Sequence, residues 1–271
     1  MATLRVTILG CGSSGGVPRA DGAWGACDPN EPKNRRTRCG LLLQRWAGGP
    51  GDANEATSVL IDTAPELREQ LARAGAKRLD GLVYTHDHAD QTHGIDDVRA
   101  FVLNQRRALP VYMDAKTRDS LTTRFRYSFF GAAAYPAILS VADELKVGVE
   151  TAIDGPGGAI TLTPLMQDHG TTHSLGFRFH DAAYSNDVVA LPDATLDALK
   201  GLDLWIVDAL RYRPHPTHAH LEQALAWIGR NRPKRAVLTN LHIDFDYDTL
   251  KAELPVSVEP AFDGWRADLT V

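Results

Sequence analysis

Thr85-His86-Asp87-His88-Ala89-Asp90-Gln91-Thr92-His93 is the stretch whose reading decides the fold. Two histidines two apart, then an aspartate two further on, put three metal-ligand side chains into five residues. Ahead of them, Leu79-Asp80-Gly81-Leu82-Val83-Tyr84 reads as a buried strand. The ligands therefore sit on the turn where a strand ends, the usual place for a site in an α/β protein. Imidazole nitrogens suit Zn²⁺, Mn²⁺ or Fe, and the added carboxylate allows a second metal beside the first. The competing reading is a polar turn with solvated histidines. A lone H-x-H would favour it; this spacing at a strand end does not.

Working outward, 271 residues supply ample material for a core and are read as a single domain over 1–271. Hydrophobic residues make up 44% and charged residues 23%, values ordinary for a globular protein. The net charge of -5 gives no global pull toward nucleic acid or an anionic membrane. No apolar run approaches the length of a membrane span. Met1–Val6 enters a strand at once, with no signal-peptide pattern, and a cytoplasmic location is expected. Three cysteines, Cys11, Cys27 and Cys39, do not make a disulfide framework and read as small buried residues.

Leu4–Leu9 predicts a strand that runs into the glycine loop Gly10-Cys11-Gly12-Ser13-Ser14-Gly15-Gly16. An irregular segment follows to about Arg38, in which Arg35, Arg36 and Arg38 read as a solvated charge run. Strands are expected at Leu41–Trp46 and Ser58–Ile61. Thr63-Ala64-Pro65-Glu66 is a capping-box pattern opening a helix that Gly75 closes. Helices are expected over Asp96–Arg106, Lys116–Phe125 and Leu221–Arg230. Strands are expected at Val111–Met113, Ile160–Met166, Leu175–Phe179, Ala182–Ser185, Leu204–Val207 and Ala236–Thr239, with Trp265 in the core. Strands alternate with helices, but hairpins interrupt the alternation. That pattern argues for mixed sheets covered by helices rather than a doubly wound parallel sheet.

Four segments share one grammar, an apolar strand and then a ligand. Val83-Tyr84-Thr85 leads to His86, Leu165-Met166-Gln167-Asp168 to His169, Ala183-Tyr184-Ser185-Asn186 to Asp187, and Val237-Leu238-Thr239-Asn240-Leu241 to His242. Side chains at the ends of neighbouring strands converge on one sheet edge, which is what a metal centre requires. Taken singly, His169 or His242 reads equally well as a structural histidine.

The first stretch resembles the H-x-H-x-D-H signature of the metallo-β-lactamase superfamily, with Gln91 in place of the last histidine. The resemblance implies an α/β fold, a four-layer αβ/βα sandwich with two mixed β-sheets. It also implies a site in which His86, His88 and His169 hold a first metal, Asp187 bridges, and Asp90, His242 and the departing Gln91 serve the second. Zn²⁺ or Mn²⁺ is expected, in one tight site and a weaker second one.

Gly10–Arg19 together with Thr92-His93-Gly94-Ile95-Asp96-Asp97 is similar to the branch containing phosphoribosyl 1,2-cyclic phosphate phosphodiesterases. That branch carries a tight cysteine cluster for a structural zinc, and the wider spacing of Cys27 and Cys39 does not match it. The glycine loop, through Ser13 and Ser14, is a candidate phosphate cradle; a tight loop beside the site is the equal alternative. In the related tRNA 3′-processing endonucleases an acidic residue after the corresponding strand pairs with a histidine before a helix. Asp208 and His218 look like that pair, with His220 as the alternate. A carboxylate orienting an imidazolium makes a general acid for an alkoxide leaving group. The competing reading is a solvated loop of His215, His218 and His220. Arg211 and Tyr212 are candidate phosphate contacts from the same loop.

The expected activity is metal-dependent hydrolysis of a small, cyclic or nucleotide-like phosphodiester through a metal-activated hydroxide. Two alternatives stand beside it. An RNA-processing endonuclease is disfavoured by the acidic balance. A nucleotide- or phosphate-binding sensor with an impaired second metal site is favoured by Gln91. No membrane partner is expected, nucleic acid is disfavoured, and a homodimer stays open.

Overall fold

The computed structural model describes residues 1–271. The chain divides into two compact units, one of Met1–Leu9, Gly40–Thr161 and Arg266–Val271, the other of Gly10–Cys39 and Leu162–Trp265.

The first unit is built on β1 (Thr3–Gly10), β2 (Gly40–Trp46), β3 (Thr57–Ile61), β4 (Gly81–Val83), β5 (Leu109–Tyr112), β6 (Leu139–Val141) and the C-terminal β14 (Arg266–Thr270). They form a seven-stranded mixed sheet in the order β14-β1-β2-β3-β4-β5-β6. Pairs β1/β14 and β2/β3 are antiparallel, and β3 through β6 run parallel. Leu42, Leu60, Leu82 and Val111, one from each of β2 to β5, share a core with Leu67 and Leu71 of α1 (Leu67–Ala74). Short helices α2 (Ala89–Thr92), α3 (Arg99–Gln105), α4 (Ala115–Arg124) and α5 (Arg126–Phe130) complete the unit.

The second sheet comprises β7 (Thr151–Ile153), β8 (Ile160–Asp168), β9 (His173–Phe179), β10 (Ala182–Ser185), β11 (Leu204–Asp208), β12 (Arg235–Thr239) and β13 (Val258–Pro260). Its order is β13-β12-β11-β10-β9-β8-β7. Strands β10 to β13 are parallel, whereas β8/β9 and β9/β10 are antiparallel. The central parallel strands carry Leu-Trp-Ile-Val and Ala-Val-Leu, continuous apolar runs that suit strands buried on both faces. Trp205, Val207 and Leu238 pack with Ala224 and Ile228 of α7 (Leu221–Asn231) and Leu250 of α8 (Tyr247–Glu253). Burial of Val207, Leu238 and Leu250 contributes about 1.5–3 kcal/mol each. A further helix, α6 (Asp193–Ala198), follows β10. The expectation of two mixed sheets flanked by helices holds. No helix is long and apolar enough to cross a membrane.

Local expectations are corrected at four places. The capping box at Thr63 does not form; α1 has Glu66 at its N-cap with no side-chain cap. The Thr63 hydroxyl instead meets the Tyr84 hydroxyl at 2.8 Å, and its N–H donates to the Gln91 carbonyl at 2.7 Å. The helix expected over Asp96–Arg106 is a 3₁₀ turn, Ile95–Val98, followed by α3.

Arg36 is not a solvated charge: only 2% of its surface is exposed. It donates to the carbonyls of Phe245 at 2.7 Å and His242 at 3.4 Å and to Asn34 Oδ1 at 3.1 Å. The glycine loop does not offer an open row of N–H donors. Those of Gly12, Ser13, Gly16 and Val17 bond to the carbonyls of Thr37, Leu241, Ser13 and Arg36, and that of Cys11 to Asp263 Oδ1. The three cysteines are free thiols and buried, as expected.

Candidate metal centre

In the first unit the ligand turn is fixed from below by a buried carboxylate. Asp62, just past β3, accepts from the Thr85 N–H at 2.9 Å and the Thr85 hydroxyl at 2.8 Å. Thr85 Oγ1 lies 2.9 Å from His86 Nδ1. Burial pushes the Asp62 carboxyl up to about 8, against the lowering effect of its two bonds from Thr85. A cation held by His86 would favour the ionised form; the Thr85 hydroxyl, donating to Asp62, would then accept from His86 Nδ1–H and leave the imidazole lone pair on Nε2.

His86 is buried and His88 exposed, and their ring centroids are 4.4 Å apart at 70°. Asp90 lies in the first turn of α2 and accepts from Gln91 Nε2 at 3.4 Å. Gln91 itself is 1% exposed. The turn closes at Gly94, whose N–H donates to Thr63 O at 2.9 Å. A Cβ there would stand 2.1 Å from the Ala64 carbonyl oxygen, so only glycine fits. Arg124 ties the turn down from the side. It donates to the Asp87 carbonyl at 2.5 Å and reaches His93 Nε2 at 3.2 Å.

In the second unit, β11 ends in a polar residue of the site, and β8, β10 and β12 each run into one within two residues of their last. His169 follows β8; its Nδ1 is 2.7 Å from the Thr217 carbonyl. A carbonyl only accepts, so Nδ1 carries the proton and Nε2 the lone pair. Gly170, at φ 78°, allows that approach, since a Cβ there would meet Thr217 Cγ2 at 2.6 Å. Asp187 follows β10 in the left-handed region at φ 53°. Asp208 ends β11, is fully buried, and pairs in register with Thr239 of β12. Its Oδ2 accepts from His218 Nδ1 at 2.9 Å and from the Val188 N–H at 3.1 Å.

One ligand atom each from His169, Asp187 and His218 falls within 4.8 Å of the others. His242, half-buried, lies outside that cluster; its Nδ1 is 3.3 Å from Asp244 Oδ1. Burial lowers His215, helped by the neighbouring His218, whose ring centroid is 5.1 Å away. The donor chemistry in both units fits a divalent cation. Imidazoles have one nitrogen held by an oxygen and the other carrying its lone pair, beside carboxylates at strand ends.

Residues 57–243 match the family model described as a beta-lactamase superfamily domain. The chain belongs to the metallo-β-lactamase superfamily. A solved structure described as a new diphosphatase from the PhnP family is 32% identical, with a TM-score of 0.82 over 99% of this chain and 98% of that one. The chain is thereby a member of the PhnP family as well. The fold is shared with Zn²⁺-bound PqqB from Methylobacterium extorquens, 15% identical, covering 98% of this chain and all of that one at a TM-score of 0.74. It is shared too with the short form of human tRNase Z, 15% identical with the same coverages at 0.65. A curated protein of Porphyromonas gingivalis named octanoyltransferase is 31% identical over 97% of this chain. The chain spans about half the length of that relative, 51%.

Of the other residues singled out in the sequence, several are placed differently from expectation. His220 is the N-cap residue of α7, in an isolated bridge with Arg211, and makes no bond to Asp208. The Arg211 guanidinium is spent on its own loop, donating to the carbonyls of Arg213 at 3.1 Å and Pro214 at 2.8 Å. The Tyr212 hydroxyl donates to Glu253 at 2.8 Å. Ser13 is buried with its N–H bonded to the Leu241 carbonyl, and only Ser14 and Gly15 are exposed at the loop tip. Sequence reasoning missed Asp62, Thr217, Asn186 and Asn240. Asn186 and Asn240 lay inside the quoted strand-end runs but do not look like ligands.

Proposed function

We propose that this protein hydrolyses a small phosphodiester, cyclic or nucleotide-like, at a divalent metal centre. By the family resemblance, His86, His88, His169 and Asp187 would serve a first cation, and Asp187, Asp90 and His242 a second. A divalent cation bound there supplies Lewis acidity toward the phosphoryl oxygen and brings the pKa of water toward neutrality.

The observation that carries the reading is the 2.9 Å bond between His218 and the fully buried Asp208, in a cluster that also contains His169 and Asp187. Asp208 fixes the ring through Nδ1 and stabilises its protonated form. His218 then holds a proton on Nε2 and passes it to the departing alkoxide oxygen as the P–O bond breaks. The PhnP-family relative described as a diphosphatase supports attack at phosphorus.

Gln91 supports an uneven centre within this reading. Its amide nitrogen donates to Asp90 Oδ2, and an amide oxygen is a harder ligand than the imidazole of the family pattern. A second cation would therefore be held loosely and exchange. The sensor alternative rests on the same residue and differs in giving no turnover.

The test is hydrolysis of a chromogenic phosphodiester with added Mn²⁺ or Zn²⁺, against a phosphomonoester of the same leaving group. The reading expects the diester to be the much better substrate. Protection against unfolding by a nucleotide, with no turnover of any diester, favours the sensor instead.

A further inference from the structure

Two asparagines surround Asp187, one for each carboxylate oxygen. Asn186 Nδ2 donates to Oδ2 at 2.5 Å, and Asn240 Nδ2 donates to Oδ1 at 3.4 Å. Both asparagines are buried, and Asn240 sits just past β12 in the left-handed region at φ 62°. A non-glycine residue in that region is uncommon and persists where the surroundings fix it. The amide orientation at Asn240 follows from its neighbour, since an oxygen in place of Nδ2 would face a carboxylate oxygen.

His218 Nδ1 lies beside two carboxylates, Asp208 Oδ2 at 2.9 Å and Asp187 Oδ1 at 3.5 Å. A ring nitrogen carries one proton and makes one strong bond with it. Asn240 Nδ2 stands 3.0 Å from the same Nδ1 and 3.4 Å from Asp187 Oδ1. An amide nitrogen only donates, so with the Nδ1 proton directed at Asp208 the 3.0 Å approach is a packing contact and no hydrogen bond, and the amide proton goes to Asp187 Oδ1. Its amide therefore satisfies the nearer Asp187 oxygen and fills the space through which the imidazole would turn toward it.

We propose that Asn240 is a positioning residue that partitions the two carboxylates, reserving Asp187 for the metal and Asp208 for His218. Asn186 acts on Asp187 alone. This rests on the phosphodiesterase reading for its kinetic consequence but not for its metal-binding one. Losing an outer partner of a metal ligand costs about 10- to 100-fold in affinity.

The experiment uses Asn240→Gly, which suits the positive φ, beside Asn186→Ala. Zn²⁺ affinity is measured by competition with a chromophoric chelator, and rates are measured across aryl phosphodiesters of graded leaving-group pKa. Both variants should bind Zn²⁺ about 10- to 100-fold more weakly. Only Asn240→Gly should steepen the dependence of rate on leaving-group pKa, because only it frees His218 from its alignment on Asp208. Wild-type Zn²⁺ affinity in Asn240→Gly overturns the proposal, and so does an equal steepening in both variants.

Nitrogen-15 spectra of the zinc-loaded wild type give a measurement that does not depend on the variant folding. They should show a proton on His218 Nδ1, and its absence overturns the proposal. If no phosphodiester is turned over by wild type, the phosphodiesterase reading fails, while the chelator titration and the spectra still decide the role of Asn240.

Discussion

Replacing Asp208 with asparagine isolates what the buried carboxylate does for His218. Asp208 Oδ2 serves two donors, His218 Nδ1 at 2.9 Å and the Val188 N–H at 3.1 Å. An asparagine carbonyl oxygen can occupy that position and keep both bonds, whereas alanine would strand the Val188 donor in the interior. What Asp208→Asn removes is the charge. A hydrogen bond to a charged group contributes about 1.5–3 kcal/mol, against about 0.5–1.5 for a neutral one. The loss of roughly 1.4 kcal/mol corresponds to about tenfold in rate. His218→Ala removes the general acid itself, a loss of about two orders of magnitude. If the two act as one unit, the double variant is no slower than His218→Ala alone. The assay is kcat on an alkyl-leaving-group phosphodiester for all four proteins with saturating Mn²⁺. Independent effects would multiply to about a thousandfold. That result, or wild-type turnover by His218→Ala on the poor leaving group, refutes the pairing as a catalytic device.

Three further outcomes follow from the same geometry. Replacing His86 and His88 together with alanine should abolish stoichiometric Zn²⁺ or Mn²⁺ binding, read by elemental analysis after desalting; full retention would remove the turn from the site. Gln91→His should raise bound Zn²⁺ toward two per chain and lower the Mn²⁺ concentration for half-maximal rate. Calorimetric titration that finds two equally tight sites in wild type contradicts the weak-site argument. Asp246 caps α8 through Thr249 N and also accepts from Asp28 N and Asn34 Nδ2. Burial raises its pKa, but these bonds outweigh that and bring it to about 2. Its stabilising contribution is therefore complete above about pH 4 and is lost as pH falls toward 2. Asp246→Ala should cost about 1–2 kcal/mol in denaturant titrations at pH 7 and almost nothing near pH 2; an equal cost at both pH values would contradict the cap.

The strand-end grammar was legible because parallel strands buried on both faces appear as uninterrupted apolar runs. Val207-Asp208 and Thr239-Asn240 mark the ends of β11 and β12 in the sequence itself. The Asp208–His218 contact was legible only through family resemblance, since the irregular loop 209–217 separates strand and imidazole. Arg36 was illegible. Its burial depends on the carbonyls of His242 and Phe245, far away in sequence, and nothing in Arg35–Arg38 distinguishes it from the exposed Arg35 or the half-buried Arg38. The glycine loop misled for a related reason. Its composition announces flexible N–H donors, but backbone carbonyls of Thr37, Leu241 and Arg36 already accept from them. Asn186 and Asn240 act through positions relative to Asp187 that only the assembled sheet provides. Helices α5, α6 and α8, of five to seven residues, are too short to show a helical period.

The most direct test of the central claim is the turnover of bis(p-nitrophenyl) phosphate by one preparation in three states: as purified, after chelation and desalting, and after Mn²⁺ or Zn²⁺ is restored. The account predicts hydrolysis that disappears with the metal, returns with it, and exceeds that of p-nitrophenyl phosphate. Turnover indifferent to chelation, or a monoester cleaved faster than the diester, would contradict it.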